Sequence, residues 1–163
     1  MRIKLTHSHL KRAISDQMRF EADGPTTLAD EHDLVRHICD ELERVADALP
    51  DMPTASVIGT LVLALRVGIP AHCTEEERAF RTWLGTGPEP SGPHRRALER
   101  LTSEHSENEP LGHELAEALE TVQAEGRIRN PDALGYLIRL YFHTMRRHVE
   151  WEEYILTQVL DRP

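Results

Sequence analysis

The chain has 163 residues, a formal charge of −9 and 39% hydrophobic residues, enough for one domain with a core of its own. Its acidity argues against nucleic acid and against an anionic membrane surface as partners. No apolar run reaches the roughly 18 residues of a membrane span, and the N-terminus lacks the apolar core of a signal peptide. Only 5% of residues are aromatic, while alanine, leucine, glutamate and arginine dominate, a composition that favours helix. Two cysteines, Cys39 and Cys73, suit a reducing cytoplasm better than a disulfide framework. Ten histidines are more than such a chain requires.

Residues 1–27 read as an N-terminal arm, with a short helix over Leu10–Phe20 ended by the Asp23-Gly24-Pro25 turn signal. His7 and His9 lie outside any apolar pattern. The remainder, 28–163, reads as one bundle. A first long helix is expected from Thr27 to Leu49, with the stripe Leu28, His32, Val35, Cys39, Leu42, Ala46, Leu49 in alternating steps of four and three. A second, over Thr54–Leu84, carries Ile58, Leu61, Leu65, Ile69, His72, Glu76, Phe80 and Trp83; Pro70 should kink or break it just before His72. Gly85–Pro93 reads as a loop. A third helix from His94 to Glu125 has Leu98, Leu101, His105, Asn108, Gly112, Leu115, Leu119 and Val122 in register, with a bend expected near Pro110. Asn130-Pro131 opens a fourth, striped by Leu134, Leu137, Tyr141, Met145, His148, Glu152, Ile155 and Val159. Long amphipathic helices on short connections predict an all-α, antiparallel up-down four-helix bundle.

Each helix thus places one histidine where apolar residues belong: His32, His72, His105 and His148. Glu76 and Glu152 follow two of them at i+4, on the same face. Burying six such groups unpaired would cost several kcal/mol each, of order 2–7 for a neutral polar group and more for a charge. A metal ion shared between helices would offset that cost. Imidazole with carboxylate suits iron, manganese or zinc. Six side chains exceed what one tetrahedral zinc needs, whereas two six-coordinate irons could share them, with glutamates bridging and a position left for dioxygen, nitric oxide or an oxo group. The His-x-x-x-Glu spacing alone is weak, since His37/Glu41, His105/Glu109 and His113/Glu117 also satisfy it. Phase is what selects the six. His37, His113 and His143 fall off the stripes and read as surface residues, and Cys39 and Cys73 as packing residues, Cys73 pointing away from the metal face.

The ordered segments Leu-Ala-Asp-Glu-His32, His72-Cys-Thr-Glu-Glu76-Glu, Ser-Glu-His105-Ser-Glu and His148-Val-Glu-Trp-Glu152-Glu resemble the ligand motifs of hemerythrin-like (HHE cation-binding) domains over residues 28–160. The resemblance implies a bundle around two non-haem iron ions, an oxo- or hydroxo-bridged di-iron centre held by His32, His72, His105 and His148 and bridged by Glu76 and Glu152. Oxygen-carrying members have His-x-x-x-His on the third helix; here position 109 is glutamate. The chain is therefore similar to the four-histidine, repair-of-iron-centres proteins that respond to nitric oxide and oxidative stress. The cysteine-containing N-terminal region usual there has no counterpart in residues 1–27, and Tyr154-Ile155-Leu156 stands where a Leu-Phe-Pro tail is common. A ferritin-like di-iron enzyme would need Glu-x-x-His on two helices, and that spacing does not occur.

The expected function is binding of dioxygen, nitric oxide or peroxide, or iron handling under oxidative or nitrosative stress, with a protein partner as an option. The alternative is an iron- or oxygen-responsive sensor or interaction module without catalysis. A metal-free helical module is a third reading, which the six core polar groups oppose.

Overall fold

The computed structural model describes residues 25–84 and 92–160, apart from the side chains of 25–30, 83, 84, 93, 159 and 160. The arm helix expected over Leu10–Phe20, the His7/His9 pair and most of the Gly85–Pro93 loop lie outside them. Among the described residues there are only helices: α1 (Pro25–Ala48), α2 (Ala55–Leu63), a π-helical turn (Ala64–Gly68), α3 (Ile69–Leu84), α4 (Gly92–Glu125) and α5 (Pro131–Leu160). As α2, the π turn and α3 run on without a gap, four long rods result.

Their direction follows from which side chains meet. Arg139 reaches the Ala46 carbonyl, Arg146 bonds Asp40 and Glu43, and His32 lies beside Glu152 and Glu153. Numbers fall along α1 as they rise along α5, so the two are antiparallel. Arg66–Glu120 and Glu77–His105 set α4 antiparallel to the second rod, and His148–Glu104 with Gly112–Tyr141 set α5 antiparallel to α4. The fold is an up-down four-helix bundle.

The ends obey local chemistry. Thr54 accepts from Val57 N–H at the start of α2, and Asn130 Oδ1 accepts from Ala133 N–H at the start of α5. Gly126, with φ +64°, closes α4 where its N–H reaches the Val122 carbonyl; a side chain would be strained there.

Neither internal proline breaks its helix. The ring of Pro70 would press on the Arg66 carbonyl in a regular turn. The preceding turn widens instead: Ile69 N–H bonds the Ala64 carbonyl, five residues back. In place of the expected break before His72, the second rod thus carries a π turn. α4 passes through Pro110 as a single helix, which leaves the Ser106 carbonyl without its helical donor. The continuous segment Ala55–Thr82 also corrects the expectation about apolar runs. Its most apolar 18-residue window has a mean hydropathy of 1.5, enough by length and composition to cross a membrane. In the bundle Ile58, Leu61, Ala64, Leu65 and Ile69 spend that apolarity on the common core.

The core comes in two parts. The larger joins residues of all four rods, among them Val35, Cys39, Leu42, Leu119, Ile138 and Val149. The smaller, near the other end, is built on Phe80 and Leu101, with Trp151 and Ile155 packed against them. Between them lies a layer of buried polar groups.

Leu119 is fully buried, whereas Leu140 is 41% exposed. Leu119→Ala is expected to cost about 2–5 kcal/mol and Leu140→Ala about 0.5, measured by urea unfolding.

Candidate metal centre

The polar layer contains all six residues singled out by phase. His32, His72, Glu76, His105, His148 and Glu152 are each at most 7% exposed. Their helix positions explain the convergence. His72 and Glu76, like His148 and Glu152, are one turn apart, while His32 on α1 and His105 on α4 enter the same level from the sides.

Two sets emerge. His32, His72, Glu76 and Glu152 form one; Glu76, His105, His148 and Glu152 form the other, and within each set one donor atom per residue lies within 4.8 Å of every other. The glutamates belong to both. Glu152 turns Oε2 towards His32 Nε2 (3.3 Å) and Oε1 towards His148 Nε2 (2.6 Å) and His105 Nε2 (3.7 Å). Glu76 turns Oε1 to His32 Nε2 (3.1 Å) and Oε2 to His105 Nε2 (3.3 Å) and His72 Nε2 (3.6 Å). The rings pair accordingly, His32 with His72 and His105 with His148.

Most of these inward atoms make no aligned hydrogen bond. The Nε2 of His72, His105 and His148, Oε2 of Glu76 and both oxygens of Glu152 are buried without a partner. Buried polar atoms are nearly always satisfied, so a converging group of six orphans calls for a cation. Nitrogen and carboxylate donors of this kind fit one.

Three of the four outward nitrogens are hydrogen-bonded to a carboxylate. His72 Nδ1 meets Glu31 (2.9 Å), His105 Nδ1 meets Glu77 (3.0 Å) and His148 Nδ1 meets Glu104 (2.8 Å). His32 Nδ1 faces Glu153 at 3.6 Å. Each carboxylate comes from a different helix than its histidine, and the series closes on itself: α1 serves α3, α3 serves α4, α4 serves α5 and α5 serves α1. Three of the four carboxylates are held in turn by an arginine, Glu77 by Arg81, Glu104 by Arg100 and Glu153 by Arg36. The sequence reading missed this ring. Its signal was adjacency, because Glu31 and Glu104 immediately precede a core histidine and Glu77 and Glu153 immediately follow a core glutamate.

Without metal the layer is a set of opposed charges. Burial disfavours charge on His32, but Glu152 and Glu76 outweigh it and push its pKa from the usual 6.5 up to about 10. Burial likewise opposes charge on His105, where Cys73, Glu152 and Glu76 prevail and raise it; against the same burial cost, Glu152 raises His148. Burial would lift the Glu152 carboxyl, yet His105, His148 and His32 hold it well below the ordinary carboxylate range.

Other candidates fall outside the sets. Glu109 is exposed. His37 bonds the Asp33 carbonyl, and His143 stacks on Phe142 with an exposed edge. Cys39 is buried in the larger core. Cys73 belongs to neither set and packs against the larger core.

The family model for the hemerythrin HHE cation binding domain matches residues 23–160. The chain belongs to this family. Neither the curated proteins nor the solved structures gave a significant match. For a hemerythrin-like domain, cation binding is the family's defining property, and the two His/Glu sets are the groups here that could hold the cation.

Two outcomes are expected. Because the folded pKa of His32 is about 10 against 6.5, its contribution to the metal-free fold is complete below about pH 6.5 and is lost as pH rises to about 10. Thermal melts in chelator should show the melting temperature falling across that window, while metal affinity climbs as protons leave the histidines. Glu77→Gln should weaken metal binding about 10–100-fold, measured by competition with a chromophoric chelator.

Proposed function

We propose that this hemerythrin-like domain is a non-haem di-iron protein that binds dioxygen, nitric oxide or peroxide, or handles iron during oxidative or nitrosative stress. His32 and His72 would hold one iron, His105 and His148 the other, with Glu76 and Glu152 shared. One observation carries the reading: two four-residue donor sets have two carboxylates in common. Isolated zinc sites do not need shared ligands, whereas paired ions do.

Two histidines and two carboxylates per ion leave a six-coordinate iron short of ligands, and the pair would supply both that open position and a change of oxidation state. The chain's own contribution is preparatory. Glu31, Glu77 and Glu104 accept from the Nδ1 of His72, His105 and His148, which fixes the tautomer and turns each of these Nε2 lone pairs inward. The two apolar cores above and below shield the layer from water along the bundle axis. Exclusion of water keeps electrostatic interactions strong and limits side reactions of a bound ligand.

Metal analysis and the visible spectrum of aerobically purified protein test the reading. About two irons per chain are expected, with near-ultraviolet bands of an oxo-bridged pair, and His148→Ala or Glu152→Ala should lose them. Stripping tightly bound iron should lower the melting temperature by roughly 8–16 °C. A chain that takes up no metal after iron loading, or melts identically without it, overturns the proposal.

A further inference from the structure

A cavity of about 440 Å³ lies between the second rod, α4 and α5. Leu65, Ile69, Tyr141 and Met145 give it apolar walls, and exposed residues such as Thr74 and Ser106 form its mouth. Of the six inward donors only His105 lines it, so cavity and centre meet at that residue and on the His105/His148 side alone. Neither His32 nor His72 is part of the wall.

Local backbone features make the space. The π turn before Pro70 carries Leu65 on one wall. Gly112 stands on another, where a Cβ would come within 3.1 Å of the Tyr141 ring, so even alanine would crowd it.

The volume is out of scale for a diatomic ligand alone. A water molecule takes about 30 Å³ of liquid, whereas sites for small organic molecules span roughly 300–1,000 Å³. The chemistry of the lining says which kind. Leu65, Ile69, Tyr141 and Met145 make apolar stretches of wall, while Glu77, Asn108 and Glu109 give the lining polar groups as well. The cations at the rim are already engaged, Arg78 with Glu75 and Arg81 with Glu77, so they are poor counter-charges for a strongly anionic ligand. What can meet a negative head is a cation in the His105/His148 set.

We infer that this cavity admits a small organic oxygen donor, an apolar body of about one ring with a single ionisable oxygen head, to the His105/His148 side of the centre. The inference rests on the di-iron reading above and deepens it by naming a ligand class larger than dioxygen or nitric oxide.

The test uses iron-loaded full-length chain with two probes, azide and 4-nitrocatechol, read as charge-transfer bands after removal of free probe. Wild type should bind both. Ser106→Trp and Thr74→Trp, at exposed positions on the mouth, should keep the iron and the azide band but weaken the 4-nitrocatechol band at least tenfold. An azide band with no 4-nitrocatechol band in wild type, or loss of iron to the free probe, overturns the inference and leaves the di-iron reading intact. Equal 4-nitrocatechol binding by wild type and both variants also overturns it, because the probe then reaches the metal by another route. A wild-type chain that holds no iron removes both readings together.

Discussion

Everything in this bundle is arranged around one electrostatic problem: four imidazoles and two carboxylates share a dry layer between two apolar cores. In water each would be solvated at no cost; here several of their inward atoms have no partner. Protons provide one solution, as the raised pKa values of His32, His105 and His148 indicate. A cation bound by the His/Glu sets provides another, since nitrogen and carboxylate oxygen can both ligate it. Protons and metal therefore compete for one set of lone pairs. That competition links stability, pH and metal occupancy in a single equilibrium.

The rest of the architecture serves that layer. Uninterrupted helices hold histidine and glutamate one turn apart, and the π turn lets Pro70 be accommodated without unravelling the rod that carries His72 and Glu76. The two donor sets are matched in composition, yet their surroundings differ. The His105/His148 set meets a cavity through His105, whereas neither His32 nor His72 lines that cavity. Matched donors in unmatched surroundings would give any cations held there unequal access from that cavity.

Much of this was legible in the sequence because helical phase is a strong signal. Leu42, Leu61, Leu115 and Ile69 repeat at threes and fours, and a histidine in that register is hard to read as anything but inward-facing. The family resemblance rested on the same residues. Less legible were features that depend on contacts between helices. Glu31, Glu77, Glu104 and Glu153 sit about 100° from the core stripe, where a charged residue ordinarily means solvent, and only the neighbouring helix reveals their role. Cys73, by contrast, was legible from its own helix: it belongs to neither donor set and packs against the larger core. Of the two effects expected at Pro70, a kink or a break, the break did not occur, because a widened turn accommodates the ring; the helix also continues through Pro110.

The closed series of histidine–carboxylate pairs has one more implication, concerning the order in which the centre can come into being. A chain of contacts with two ends could be built outward from a hairpin; a circle has no first or last member. Here the donor set with His32 and His72 draws on α1, α3 and α5, and the set with His105 and His148 draws on α3, α4 and α5. No two adjacent helices own a complete set together with the carboxylates that orient it. Either donor set is complete only once the fourth rod has docked, so packing of that rod and formation of the site are one event.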